Sequence, residues 1–143
     1  MTIVERQQKI VDEFGAISDW EERHKRIIEY GRKMPPMAAE HQVDKNKVKG
    51  CQSTVWLHAD LKDGRVEFAG DSDAMIVRGL VALVLNVYSG ATPAEILATP
   101  PTFIEKTGLM SHLSQTRANG LASVIKQIKF YALAFDALLK RGK

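Results

Sequence analysis

The residue with the clearest chemical potential is Cys51, the single cysteine of the 143-residue chain. It lies where a lysine-containing segment, residues 45–49, meets an alternating apolar run. Gly50 precedes it and allows a sharp turn or a positive φ angle, and polar side chains follow it. This setting predicts a thiol at the tip of a loop, within reach of other molecules. The alternative is that Cys51 is an unreactive small apolar side chain, as many lone cysteines are.

Metal chemistry has no support in the sequence. A structural zinc site needs four nitrogen or sulfur ligands in paired spacing, and an iron–sulfur cluster needs several cysteines. The chain has one cysteine, and its four histidines form no close pair in sequence. It also lacks the glycine-flanked serine motif of hydrolases and a glycine-rich phosphate loop. We therefore expect this chain to bind no metal and no cofactor, so the candidate chemistry is that of the thiol.

Two kinds of thiol chemistry stay open. A Cys–His enzyme needs a histidine beside Cys51. His58 follows seven residues later on a predicted strand, roughly 23 Å away, which leaves His41 and His112. Alternatively, the thiol attacks a sulfur atom of a partner, which requires access and some thiolate. An exposed Lys49 stabilises a thiolate by about 1 kcal/mol at most, whereas ionisation near neutral pH needs about 2.7 kcal/mol. We therefore expect a modest thiol that is activated when it docks on a partner.

The elements around the cysteine are predicted from hydrophobic periodicity and turn signals. Residues 3–14 form one amphipathic helix, and a second ends before the two prolines at 35–36. From Gln52 the period changes to two, and Asp63-Gly64 turns the chain into a return strand. Side chains suited to helix starts precede four of the predicted helices: Thr2, Asp19, Thr92 and Ser114.

The remaining elements complete the predicted fold. A short strand at residues 45–49 is expected to pair with the hairpin, and Asp73 is expected to cap a central buried helix over residues 74–89. The last helix carries a long apolar stripe. The predicted fold class is therefore α+β: a small antiparallel sheet of about three strands with helices packed on one face.

Composition limits the wider possibilities. The length predicts a single domain over residues 1–143. The net charge of +3, without basic runs, does not favour a nucleic-acid partner. One cysteine cannot form an intrachain disulfide, and neither a signal peptide nor a membrane-spanning stretch is recognisable. We expect a cytoplasmic protein that does not enter membranes.

Two longer motifs carry a resemblance to a known family. Residues 50–56 (GCQSTVW) and 70–80 (GDSDAMIVRGL) resemble the SufE family, the sulfur acceptors of cysteine desulfurases. The resemblance covers almost the whole chain. It continues at three short motifs and at a segment of the second helix: residues 92–96 (TPAEI), 112–113 (HL), 117–121 (RANGL) and 20–23 (WEER).

The resemblance implies a sulfur relay. A pyridoxal-phosphate-dependent desulfurase, SufS-like or CsdA-like, would hold sulfur as a persulfide, and Cys51 would accept it and pass it to a SufBCD-like iron–sulfur assembly complex. The chain would be a covalent sulfur carrier and desulfurase activator rather than an independent enzyme, as a monomer or a homodimer. The family fold is similar to that of the cluster scaffold IscU. In resting members the cysteine loop is tucked toward an apolar cavity.

The resemblance also implies supporting residues. Arg117 matches a family arginine near the cysteine loop and would stabilise a sulfur anion, or it is a solvated residue of a helix first turn. Asp73 matches a position linked to loop release. Gly50, Gln52 and Ser53 would shape the loop, the last two through hydrogen bonds. Two other functions stay open: a free-standing cysteine-dependent thiol enzyme, and a binding module in which the cysteine is incidental.

Overall fold

The computed structural model describes residues 1–142 and shows helices with one two-stranded antiparallel sheet. The predicted domain ends at Lys143, which lies outside the described residues. The observed architecture confirms the predicted α+β class. The elements in chain order are α1 (Ile3–Gly15), α2 (Trp20–Lys33), β1 (Val55–Lys62), β2 (Arg65–Ser72), α3 (Met75–Tyr88), α4 (Pro93–Ala98), α5 (Thr102–Lys106) and α6 (Gln115–Arg141), with short 3-10 turns at Ala39–His41, Asp44–Asn46 and Leu109–His112.

Side-chain caps begin four of the helices, α1, α2, α4 and α6, at the residues that the sequence indicates. Thr2 and Glu5 form a reciprocal capping box at the start of α1. The side chains of Asp19, Thr92 and Ser114 each accept a backbone N–H in the first turn of α2, α4 and α6. Each cap satisfies a donor that the helix itself leaves without a partner, so the element starts follow from local chemistry.

The hairpin also forms at its predicted turn. Asp63 and Gly64 have φ angles of 53° and 77°, the left-handed geometry that matches the twist of paired strands. The two strands pair along their length, with Val55 opposite Ser72 at the open end. Alternation then directs one face of β1 into the core, as predicted. Val55, Leu57 and Ala59 are all buried.

The third predicted strand is reduced to a single bridge. Lys47 pairs with Trp56, and the Val48 N–H donates to the Val55 carbonyl at 2.8 Å. The preceding residues form a 3-10 turn, in which the Lys47 N–H donates back to the Asp44 carbonyl. That local bond removes a donor that a longer strand would need. The described residues therefore form two strands where about three were expected.

Helix α3 is the central buried helix that the sequence predicts, with ten buried residues. It crosses α2 at two glycines. A Cβ on Gly79 would lie 2.2 Å from the Ile27 carbonyl oxygen, and one on Gly31 would lie 2.8 Å from the Gly79 nitrogen. Such distances are far inside van der Waals contact, so the two backbones touch only because neither residue has a side chain.

Arg78, within this apolar helix, binds the end of α2. Its guanidinium donates to the carbonyls of Gly31 at 2.6 Å and Met34 at 2.9 Å, and to Asp71 Oδ1 at 2.8 Å. The first two acceptors lie at the carboxyl end of α2, where the last carbonyls have no partner within the helix. Arg78 therefore joins α2, α3 and the end of β2 in one polar cluster.

The remaining helices close the core around the hairpin and α3. Buried side chains from Ile3 in α1 to Ala132 in α6 belong to one contiguous cluster. Helix α6 lies across β1 and α3, and α4 packs along it. No helix within residues 1–142 is long and apolar enough to cross a lipid bilayer.

Candidate functional site

The Cys51 loop is fixed at its start by a close approach to α6. Gly50 has a φ angle of 90°, in the region that favours glycine. A Cβ at this position would lie 2.6 Å from Ser123 Oγ, so the loop backbone rests directly on the helix. Cys51 therefore lies at a turn, as the sequence predicts. Gly50 and Gln52 are exposed, but the Cys51 side chain lies against α6.

The Cys51 thiol is half-buried against this helix. Its S–H donates to the Gly120 carbonyl oxygen at 3.6 Å, a weak bond between a soft donor and a backbone acceptor. Burial raises the pKa of the Cys51 thiol, because the charged thiolate is poorly solvated there. A thiolate would also have no proton to donate to Gly120. Both effects keep the resting side chain neutral and weakly nucleophilic.

A small apolar cavity of about 30 Å³ lies beside the sulfur. That volume holds about one or two atoms the size of a water oxygen. Helices α3 and α6 supply most of its wall, and residues 51–53 of the loop supply the rest. The lining residues are Cys51, Gln52, Ser53, Val77, Leu80, Val81, Thr116, Arg117, Gly120, Leu121 and Val124.

The far end of the loop is tied to the start of α3. Asp73 Oδ1 accepts the Thr54 N–H at 3.1 Å, and the Asp73 N–H donates to the Thr54 carbonyl at 3.3 Å. The prediction that Asp73 caps α3 is wrong, because the N-cap residue is Ala74, without a side-chain cap. The Asp73 carboxylate is instead used by the loop, whereas Ser72 Oγ accepts the Ala74 N–H at 3.3 Å.

Three other predicted site residues line the cavity. Gln52 and Ser53 line it, but the hydrogen bonds expected of them are absent: neither side chain bonds to another residue in the range 1–142. Arg117 is exposed and lies between this cavity and a groove that contains Trp20. Within the described residues its guanidinium forms no hydrogen bond or ion pair.

The structure does not bring a histidine to Cys51. All four histidines lie within residues 1–142, and none lines the cavity. The His112 ring stacks on Trp20 with centroids 3.6 Å apart, and the His41 ring stacks on His58 at 3.8 Å. This geometry counts against a Cys–His enzyme in the observed conformation. Across the same residues, no group of three or more histidine, cysteine, aspartate or glutamate side chains could hold a metal ion.

Sequence reasoning missed the partners of the thiol on α6. Gly120 brings its carbonyl to the sulfur, and a Cβ there would lie 3.5 Å from Cys51 Sγ. Ser123, one turn later, supports Gly50. The available signal was a glycine inside a long amphipathic helix, which often marks a close approach of another segment.

Together these features define a small α+β protein whose candidate site is one sheltered thiol on a short loop. The chain belongs to the SufE family. The family model described as "Fe-S metabolism associated domain" matches residues 8–132. The chain accordingly has a role in iron–sulfur metabolism, within a family that works with cysteine desulfurases.

Relatives with similar sequences extend over most of the chain. An uncharacterized SufE-like protein of Synechocystis is 44% identical over 128 residues, covering 90% of this chain and 80% of that protein. An uncharacterized SufE-like protein of Rhizobium meliloti is 46% identical over 126 residues, covering 85% and 90%. The solution structure of a hypothetical protein from Thermus thermophilus has a TM-score of 0.78 and 23% identity, covering 92% of this chain and 96% of that one. The last comparison shows that the fold is shared.

Proposed function

We propose that this protein accepts sulfur on Cys51 from the persulfide of a pyridoxal-phosphate-dependent cysteine desulfurase, stimulates that enzyme, and passes the sulfur to iron–sulfur cluster assembly. Family membership supports the metabolic setting. The observation that carries the specific role is the cavity beside the thiol, because it has room for about one further atom of sulfur size. A covalently attached sulfur would be shielded there from water and from other thiols.

The transfer step balances without an added oxidant or reductant. The Cys51 thiolate attacks the outer sulfur of the donor persulfide, and a new S–S bond forms between them. The S–S bond of the donor breaks, and its cysteine leaves as a thiolate. The transferred sulfur keeps its oxidation state. The proton that Cys51 loses before the attack is matched by the proton that the leaving thiolate can take up.

The resting geometry also supports control by the partner. A neutral, half-buried thiol reacts slowly with small oxidants and electrophiles. Release of the loop from Gly120 would restore the solvation of the sulfur and lower its pKa toward the ordinary cysteine value. Nucleophilicity would then rise only where a desulfurase draws the loop out, which fits a carrier whose sulfur must not be lost.

Arg117 is the residue best placed to assist the sulfur anion. Arg117 lines the cavity, and its guanidinium forms no hydrogen bond or ion pair with any residue in the range 1–142. A cation near the sulfur favours the charged form of a thiol or persulfide. In this role Arg117 is a positioning and electrostatic residue, and Cys51 forms the covalent bond.

Mass spectrometry after incubation with a desulfurase and free cysteine tests this function. We expect Cys51 to gain the mass of one sulfur atom, removable by a reducing thiol, and the desulfurase to produce alanine faster. The Cys51→Ser variant should show neither effect. A folded wild-type chain that gains no sulfur from any cysteine desulfurase of its own organism during turnover would refute the proposal.

A further inference from the structure

A second groove, distinct from the thiol cavity, lies beside the Cys51 loop. It runs between residues 45–49 and α6, with a volume of about 390 Å³. We call it the basic groove, because four lysines line it. They are Lys45, Lys47, Lys49 and Lys126.

The positive charge of the basic groove is only partly compensated. Lys47 forms an ion pair with the exposed Asp44 at 3.1 Å. The other three lysines form no ion pair with any residue in the described range 1–142. No aspartate or glutamate within residues 1–142 lines the groove, so its wall is positively charged. Clustered like charges repel one another, and an acidic partner would relieve that repulsion.

The groove also offers an apolar contact. Phe130 lines it and has 66% of its surface exposed. Leu133, three residues further along α6, is 58% exposed, and residues at this spacing share a helix face. Large exposed aromatic and aliphatic side chains beside a polar rim are typical of protein-binding sites. The surface therefore fits an acidic segment that carries an apolar side chain.

The position of the groove links it to the thiol. Lys49 is two residues from Cys51, and Ser123, on which Gly50 rests, lines the groove. A ligand in the groove would contact both the leading arm of the loop and the helix that holds it. Binding there is well placed to separate the two and so to release Cys51.

We infer that the basic groove receives an acidic segment of the desulfurase that donates sulfur to Cys51. This inference rests on the proposed function for the identity of the partner. The donor is favoured over the acceptor because the closed, neutral thiol must be released before it can attack, and the donor is the partner that meets the chain in that state. The acceptor meets the chain only after Cys51 has been loaded.

The test measures binding separately from transfer. The parent chain of this test is the Cys51→Ser variant. Purified cysteine desulfurases of the source organism are titrated with the parent and with two variants of it. The groove pair carries Lys49→Glu/Lys126→Glu, and the control pair carries Lys9→Glu/Lys106→Glu. Both pairs change the net charge from +3 to −1, since each substitution changes it by two. Lys9 and Lys106 are exposed and line neither the basic groove nor the thiol cavity. Circular dichroism checks that all variants are folded.

We expect the groove pair to raise the dissociation constant by about tenfold or more relative to the control pair. Added salt should strongly weaken desulfurase binding by the parent chain and should have little effect on binding by the groove pair. Equal binding by the two pairs, or no binding of any desulfurase by the parent, would overturn the inference. A third outcome would also overturn it: the parent binds a mixed-sequence RNA, the groove pair does not, and the two bind the desulfurase equally well. A parent that binds through the groove while wild-type Cys51 gains no sulfur would refute the proposed function alone.

Discussion

Replacing Gly50 by alanine tests directly whether backbone geometry holds the Cys51 loop closed. Gly50 has a φ angle of 90°, and an added Cβ would lie 2.6 Å from Ser123 Oγ and 3.5 Å from Ser123 Cβ. The first feature is disfavoured for every residue with a side chain. The second is a steric conflict specific to the closed loop. Both penalties act on the closed state and disappear when the loop leaves α6.

The expected size of the effect follows from these two penalties. A left-handed conformation costs alanine about 1–2 kcal/mol, and relieving the contact with Ser123 adds to it. A change of 1–2 kcal/mol shifts an equilibrium by about 5- to 30-fold. We therefore expect Gly50→Ala to raise the population of the open loop by at least about fivefold. The core lies elsewhere, so the chain should still fold.

Alkylation of the thiol by iodoacetamide measures this population. Cys51 is the single cysteine, so the modified mass reports only on this site. In Gly50→Ala the alkylation rate near neutral pH should rise by about 5- to 30-fold. The pH of half-maximal rate should fall toward about 8.5, because the sulfur of an open loop is better solvated.

Two further variants separate the causes. Gly64 in the hairpin turn has a φ angle of 77° with nothing within 4 Å of an added Cβ. Gly64→Ala should therefore cost a similar free energy of unfolding and leave Cys51 alkylation unchanged. Adding Ser123→Ala to Gly50→Ala removes the contact with Oγ but keeps the φ penalty, so alkylation should return part of the way to the wild-type rate.

One result would show that this reasoning is wrong. If Gly50→Ala is folded, keeps the unfolding free energy of the wild type and alkylates Cys51 at the wild-type rate, the loop is not held by the geometry described. If the alkylation rate of Cys51 rises as much in Gly64→Ala as in Gly50→Ala, the cause is a general loosening of the fold instead.

Three further predictions concern the thiol and its supports. Because burial raises the pKa of Cys51, its contribution to stability is complete below the ordinary cysteine pKa and is lost as pH rises through the raised value. Urea unfolding between about pH 7 and pH 10 should show this loss relative to Cys51→Ser, and parallel curves would contradict it. Arg78→Ala leaves the partly buried Asp71 without its cation and should lower the unfolding free energy by about 3 kcal/mol; a loss below about 1 kcal/mol would show that the cluster is dispensable. Asp73→Ala removes the acceptor for the Thr54 N–H and should weaken loop closure by about 1 kcal/mol. The alkylation rate of Cys51 should then rise about fivefold. Asp73→Asn keeps an acceptor, so its alkylation rate should stay near that of the wild type.

Features with local partners could be predicted from the sequence. The capping box joins Thr2 to Glu5, only three residues apart. The hairpin turn depends on Asp63 and Gly64 alone. In such cases the signal and the group it satisfies lie in the same short window, so propensity and periodicity are sufficient.

Features that depend on distant partners could not be predicted. Asp73 has the spacing of a helix cap, but its carboxylate bonds to Thr54, 19 residues earlier. The Cys51 thiol bonds to Gly120, 69 residues away, and no periodicity indicates that the loop rests on α6. The residues around Cys51 did not indicate that burial raises its pKa; only the family resemblance implied a loop tucked toward an apolar cavity. These outcomes are set by how helices and loop pack together.

The crossing of α2 and α3 has a consequence for the motion of the loop. Val77, Leu80 and Val81 form one wall of the thiol cavity, and Gly79 pins that stretch of backbone against Ile27. Because this wall cannot collapse when the loop moves away, its apolar side chains become exposed to water, which costs free energy. Burying this apolar surface again would favour the closed loop. The loop would therefore return to its closed position without the action of a second protein.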